Sequence, residues 1–226
     1  MGATLAQLEA RVAGLLYDAT NAVFSTATID EGLRQALERY NDAVPLTSET
    51  VITLPGVGRE IALNGIADLL QVMEVWWPFD SDGSEAWPPN RVQGFRLWWD
   101  DAQPVLFLNA VDGAQPQRND EVRIWYTKPH TIQNLDGASV TTLPTPHETL
   151  LVRGAAGYAC LARSVDLNET SANMAVSTPN YAALAEIYLN DISSGFLTIL
   201  EQLKAQSNVR GEPFGEGWRM DKWEGK

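Results

Sequence analysis

The stretch T-I-D-E-G-L-R-Q-A-L-E-R-Y-N-D-A-V-P-L-T-S-E-T-V-I-T-L, Thr28–Leu54, changes period part-way, and that change decides the fold class. Up to Tyr40 the apolar residues Leu33, Leu37 and Tyr40 recur every three or four positions, as on one stripe of a helix. Pro45 stops that helix, because the residue before a proline is pushed out of the helical region. Beyond it the spacing becomes two, the period of a strand with one face buried. The stretch therefore predicts a helical segment that runs directly into a β segment with no linker between them.

Working outward toward the N-terminus, Thr4–Gln7 has the spacing of a capping box, and Leu5, Leu8, Val12 and Leu15 continue a helical stripe. A second box is expected at Thr28 and Glu31, which places two helices at the start of the chain. Toward the C-terminus, Thr50–Leu54 and Arg59–Leu63 flank Pro55-Gly56-Val57-Gly58 and read as a hairpin. Further strands are expected around Gln71–Phe79, Val92–Trp99, Pro104–Leu108 and Glu121–Thr127, making a small antiparallel domain of five or six strands. Helices then return. Thr145-Pro146-His147-Glu148 combines an N-cap, a first-turn proline and a closing Glu. That helix is expected to run to about Arg163, rich in small residues that let neighbours approach closely. After the polar stretch Asp166–Ser177, a last helix is expected from Thr178-Pro179 to about Gln206. Tyr181, Leu184, Tyr188, Ile192, Phe196, Ile199 and Leu203 would lie on one face of it.

The fold class expected is α+β: a bundle of two N-terminal and two C-terminal helices, an inserted antiparallel β domain and an extended C-terminal arm. The boundaries are 1–46, 47–132, 133–206 and 207–226. The arm has no usable periodicity, and four positive charges balance four negative ones, so the body carries the net charge of −13. Phe214, Trp218 and Trp223, with Arg210 and Arg219, mark the arm as a segment that orders when it docks.

Composition excludes some classes of function and disfavours others. No run of about 18 apolar residues exists, so no span of a membrane is expected, and the opening MGATLAQLEARVAGLL lacks the basic region of a signal peptide. The single cysteine, Cys160, has no partner for an internal disulfide, which suits a reducing cytoplasm or a fold that needs no oxidative staple. With 16 Lys and Arg against 29 Asp and Glu, the surface repels phosphate and is a poor nucleic-acid binder. Neither His130 nor His147 stands at metal-ligand spacing, so no metal and no cofactor is expected. Cys160, in a small-residue helix, reads as a packing residue rather than a nucleophile. Serine-elbow and P-loop patterns are absent. Asp80-Ser81-Asp82-Gly83 lacks the spacing of a calcium loop, and Asp100-Asp101 reads as a charged turn. No catalytic constellation results, and the chain is read as a non-enzyme.

Tryptophan is the distinctive residue. Six of the eight lie between Trp76 and Trp125, clustered as Trp76-Trp77, Trp98-Trp99 and Trp125-Tyr126. Neighbours in a strand point to opposite faces, so each pair is expected to send one ring into the core and one outward. Three strands doing so would make an aromatic outer face that something covers: the chain's own helices, another subunit, or a stacking ligand.

The blocks I-D-E-G-L-R-Q-A-L-E-R-Y-N from Ile29, T-L-P-G-V-G-R-E-I-A-L from Thr53, V-M-E-V-W-W-P-F-D from Val72 and D-E-V-R-I-W-Y-T-K-P-H-T-I from Asp120 occur in that order. A capped helix from Thr145, ending A-A-G-Y-A-C-L-A-R, completes the series. This series resembles head–tail connector (adaptor) proteins of tailed bacteriophages, over roughly Leu5 to Leu203. The resemblance implies a structural virion protein in the neck, assembled in the host bacterial cytoplasm. It would form a homo-oligomeric ring, usually twelve-fold, docked beneath the portal protein and followed by a tail or neck component. DNA would pass through the channel without specific binding. The arm, with Arg210, Phe214, Trp218, Arg219 and Trp223, would dock on the portal, and the aromatic pairs would serve subunit or partner contacts. A β domain this large is not universal in the family. The rival reading is a carbohydrate-binding or host-recognition module that uses exposed tryptophans, with Asn90 and Asn109 nearby.

Overall fold

The computed structural model describes residues 2–81, 90–101, 103–109, 115–170 and 180–210, with side chains omitted at 168–170 and 207–210. The chain divides into two compact units, one made of residues 1–44 with 130–226 and the other of residues 45–129. Five helices and two antiparallel three-stranded sheets make an α+β fold with the β unit inserted into the helical one. The expected arm, 207–226, lies largely outside the described residues.

In the helical unit, α1 (Leu5–Leu15) begins at Thr4, whose backbone N–H donates to Gln7 Oε1 at 2.9 Å. The second helix, α2 (Thr26–Ala43), starts earlier than its sequence suggests. Ser25, not Thr28, is its cap, and the Ser25 hydroxyl accepts the Thr28 N–H at 3.2 Å. Glu31 serves the helix surface instead, pairing with Arg34 and Gln35.

The third helix, α3 (Thr145–Thr170), begins at Thr145 itself and continues past Arg163. Glu148 does not close a box at its N-terminus. Its carboxylate accepts the Ala3 N–H and an Arg11 guanidinium N–H, both at 2.8 Å, and so ties the chain start and α1 to α3. Glu148 is buried, and burying a carboxylate is costly unless donors such as these two meet it. Arg11→Met is expected to lower stability by about 1–3 kcal/mol, measured by urea unfolding.

The single last helix is in fact two, α4 (Tyr181–Asn190) and α5 (Phe196–Arg210), with Asn180 rather than Thr178 as the cap of α4. The break is built by Asp191, whose carboxylate accepts N–H and O–H bonds from both Ser193 and Ser194. These bonds give the backbone an alternative to the helix ladder. Of the expected apolar stripe, Tyr181, Tyr188, Phe196, Ile199 and Leu203 pack on the helical core, whereas Leu184 and Ile192 are exposed and Ala185, Leu189 and Leu200 are buried in addition.

Helix α3 is the centre of the unit. Gly157 meets Leu189 of α4, Gly154 lies under the Phe196 ring of α5, and on α2 Gly32 lies against the Ala155 carbonyl. A Cβ at any of these glycines would stand less than 3 Å from its neighbour. The small-residue run therefore lets three helices close on α3, as expected from its composition.

In the β unit, β1 (Leu46–Thr53), β6 (Glu121–Lys128) and β3 (Gln71–Phe79) form one sheet in the order β1-β6-β3. A second sheet has β2 (Glu60–Ala62), β5 (Gln103–Leu108) and β4 (Phe95–Asp100) in the order β2-β5-β4. The expected hairpin around Pro55–Gly58 does not exist. All eight residues of β1 pair with β6, and β2 pairs with β5 in the other sheet. Leu54 and Asn119 extend the β1–β6 ladder, and Gly58 N–H then bonds to the Pro116 carbonyl, carrying the chain across to the second sheet. The two sheets enclose one core that includes Ile61, Leu63, Val75, Leu106, Val122 and Ile124.

Candidate functional site

The aromatic strands are the strongest candidate, and their geometry follows from strand period and register. On β3 and β6, Trp77 and Tyr126 point into the core, while Trp76 and Trp125 lie on the outer face of the sheet. The inward ring has a polar anchor, since Trp77 Nε1–H donates to Asp120 at 3.1 Å.

The outer rings do not stand open. Arg123 lies opposite Trp76 and two residues before Trp125, so period two puts all three side chains on one face. Its guanidinium carbon sits 5.1 Å from the Trp76 ring centroid, 5.2 Å from Trp125 and 5.3 Å from Phe79. Glu49 of β1 accepts from Arg123 at 2.7 Å. A planar cation stacked among three rings is held by their quadrupoles and gives two tryptophans a cover from within the sheet. Arg123 was not singled out by its sequence context, though R-I-W at positions i and i+2 carried the signal.

The Trp98-Trp99 pair departs from the expected pattern. Strand β4 is an edge of the second sheet and both of its rings are exposed, 37% for Trp98 and 57% for Trp99. Trp98 leans on Phe107 with centroids 5.8 Å apart. The three pairs thus form no common aromatic face; two lie on one sheet and the third on the rim of the other.

The candidates for chemistry resolve into structure. Asp100 and Asp101 are exposed residues at the tight turn between β4 and β5, and Asp101 has φ 43°. Asp80 is described, whereas Asp82 and Gly83 lie outside the described residues. Asn109 N–H bonds to the Gly94 carbonyl at 3.0 Å, and its side chain packs against Gly94. Among the described residues no group of three or more His, Cys, Asp or Glu could hold a metal ion, and no helix is long and apolar enough to cross a membrane. The shallow recess between α2 and α3, lined by Ala27, Thr28, Glu31, Gly32, Gln35, Tyr158 and Ala162, brings one carboxylate, Glu31, and no histidine or cysteine.

The two histidines meet at Tyr40, a cluster that the sequence does not announce. The fully buried Tyr40 bonds through its hydroxyl to His147 Nδ1, and both imidazoles stand edge-on to its ring at about 5.5 Å. Burial pushes the Tyr40 phenol up to about 12. Burial also holds the His130 imidazole below its ordinary value, opposed by the Thr142 carbonyl. His130 N–H is fixed by Asn41 Oδ1 at 2.8 Å. Tyr40 and His130 are packed groups of the helical core, and His147 is half-buried beside them.

Cys160 is fully buried, and burial pushes its thiol up to about 11. Negligible thiolate forms at neutral pH, so Cys160 is expected to resist iodoacetamide in the native protein and to react on unfolding. Mass spectrometry after timed alkylation checks this, and rapid native labelling would contradict the packing role.

Two carboxylates tie folding to pH. The Phe24, Val23 and Ala22 N–H groups hold Asp18 below its ordinary value, and Ser194 with Ser193 holds Asp191 at about 2. A folded pKa below the unfolded one stabilises the protein above the unfolded value, near 4, and that stability is lost as pH falls toward 2. Urea midpoints are expected to fall over that window, with a shallower fall in Asp191→Ala.

Of the arm residues, Arg210 ends α5 with its side chain undescribed, and Phe214, Trp218, Arg219 and Trp223 lie outside the described residues.

No family model matches the chain, and no curated protein does. Among solved structures it is similar to a chain in the neck of an empty gene transfer agent particle computed with C6 symmetry. That pair has 18% identity and a TM-score of 0.31, covering 83% of this chain and 88% of the other. It is similar to a chain in the virion of the native gene transfer agent particle at 16% identity and TM-score 0.31, with 89% of each chain covered. A chain in the neck of the native particle computed with C12 symmetry matches at 21% identity and TM-score 0.26, over 83% of this chain and 93% of that one.

Proposed function

We propose that this chain is a structural neck protein of a phage or phage-like particle, a head–tail connector that assembles as a ring on the portal and extends the DNA channel toward the tail. The observation that carries the reading is where the blocks of the family resemblance fall. The I-D-E-G-L-R block supplies Ile29, Gly32 and Leu33 to the buried face of α2, W-W-P and R-I-W-Y-T lie on the adjacent strands β3 and β6, and the A-A-G-Y-A-C block is the centre of α3. Each block thus contributes residues to one of the two cores, beside outer-face residues such as Trp76, Arg123 and Trp125.

The acidic composition suits a channel wall along which DNA slides without sticking. In this reading the helical unit and the β unit both contribute to subunit contacts, and the arm beyond α5 docks on the portal. The chain performs no catalysis here. Among the described tryptophans, a carbohydrate-binding role would use Trp98 and Trp99, because Trp76 and Trp125 are engaged by Arg123.

Native mass spectrometry of the chain, alone and with the portal protein of the same genome, tests the proposal. Closed rings or stoichiometric portal complexes are expected. Deleting residues 211–226, which leaves α5 whole, is expected to weaken the portal complex at least tenfold. A monomer that ignores the portal in every mixture would refute the reading and direct attention to glycans.

A further inference from the structure

Besides that of the three-residue β2, two strand edges of the β unit have no backbone partner among the described residues: the outer edge of β1 and that of β4. They lie on opposite flanks. In the first sheet β6 separates β1 from β3, and β4 lies on the β3 side, reached through the bridge between Trp76 and Arg91. Exposed edges are normally blunted by lysine, proline or a bulge. Strand β1 has none of these, and its register with β6 runs unbroken through eight pairs. Strand β4 also pairs regularly over its six residues, and it leaves two tryptophans in solvent. Strand β1 carries Glu49, which Arg123 of its own sheet holds on one side, and β4 carries Asp100 and Arg96, the latter with no ion-pair partner among the described residues.

We infer that β4 of one copy adds antiparallel to β1 of the next, with Arg96 opposite Glu49. In this register outer-face residues meet outer-face residues, as the pleat requires. Thr47 then falls opposite Trp98, Ser48 opposite Leu97 and Leu46 opposite Trp99, so both exposed rings gain a cross-strand neighbour. The contact uses a different edge on each partner and is heterologous, the kind that repeats around a rotation axis and closes a ring. A second copy is preferred to a foreign strand because one chain supplies both edges, with an unpaired Arg96 on one and an outer-face Glu49 on the other. The inference rests on the ring reading and names the contact that would build the ring.

The test uses the full chain with and without its portal, and compares wild type, Arg96→Glu, Glu49→Arg and the double reversal at equal concentration. Ring population is expected to fall at least tenfold in Arg96→Glu and to recover in the double reversal, with circular dichroism unchanged. Independently, Thr47→Cys/Trp98→Cys is expected to give an oxidised ladder of cross-linked copies, while buried Cys160 stays reduced. Rings that tolerate Arg96→Glu and give no cross-link would overturn the strand contact and leave the ring reading intact. Absence of any ring or portal complex in wild type would overturn both.

Discussion

Phe196→Ala is expected to remove about 3–5 kcal/mol from the helical unit, the cost of emptying a large aromatic site in a packed core. Phe196 is fully buried and lies over Gly154, with Tyr158 edge-on at 6.3 Å. Neither neighbour can fill the space it leaves: Gly154 has no side chain, and Tyr158 is held on the same helix, α3. Domains of this size are stable by only about 5–15 kcal/mol, so the variant stands near the edge of folding. The two units can be followed separately, because all six tryptophans of the body lie in residues 45–129 and the helices dominate far-ultraviolet dichroism. The helical signal is expected to melt at a much lower denaturant concentration than in wild type. An unchanged helical midpoint would show that α5 does not pack on α3 as described.

The second large effect concerns two glycines with opposite expectations. Alanine in place of Gly32 gains about 1 kcal/mol of helix propensity, but its Cβ would stand 2.6 Å from the Ala155 carbonyl oxygen. That neighbour is backbone and cannot swing aside, so α2 and α3 must separate. Overpacking of this kind costs about 1–3 kcal/mol, and Gly32→Val is expected to cost more than Gly32→Ala. Gly14 of α1 has nothing within 4 Å of its would-be Cβ, so there alanine is expected to stabilise by up to about 1 kcal/mol. Urea unfolding of both variants checks the pair. Gly32→Ala and Gly14→Ala stabilising the protein equally would mean that the two helices do not approach as closely as the packing implies.

Much of this fold is legible in the residues because local chemistry and tertiary packing agree there. The Thr4–Gln7 box, the stripe Leu33–Leu37–Tyr40, with Leu37 partly buried, and strands β3, β5 and β6 follow from capping and period alone. The α3 run of small residues announced a central helix, and Gly154 and Gly157 do admit two neighbours. The candidate site was half legible. Period two predicts that one ring of Trp76-Trp77 and one of Trp125-Tyr126 face inward, yet only the register β3-β6-β1 brings Arg123 and Glu49 to the outer rings.

Where expectation and structure part, a partner distant in sequence is responsible. Pro55–Gly58 looks like a hairpin turn, but β6 is a longer and better-matched partner for β1 than three-residue β2, so the loop became a crossover between sheets. Glu148 has capping-box spacing, yet Arg11 and the Ala3 N–H reach its carboxylate from 137 and 145 residues away. Asp191 and its two serines could have been read as a break, because they bond locally, whereas the apolar periodicity continues through them and conceals it. The sequence by itself determined the α+β class, the insertion and the acidic, tryptophan-rich character, because period, capping and charge are properties of neighbouring residues. Only the tertiary structure decided strand order, the cation among the rings and the two unpaired edges, since a strand's choice of partner depends on chain segments its own residues do not encode.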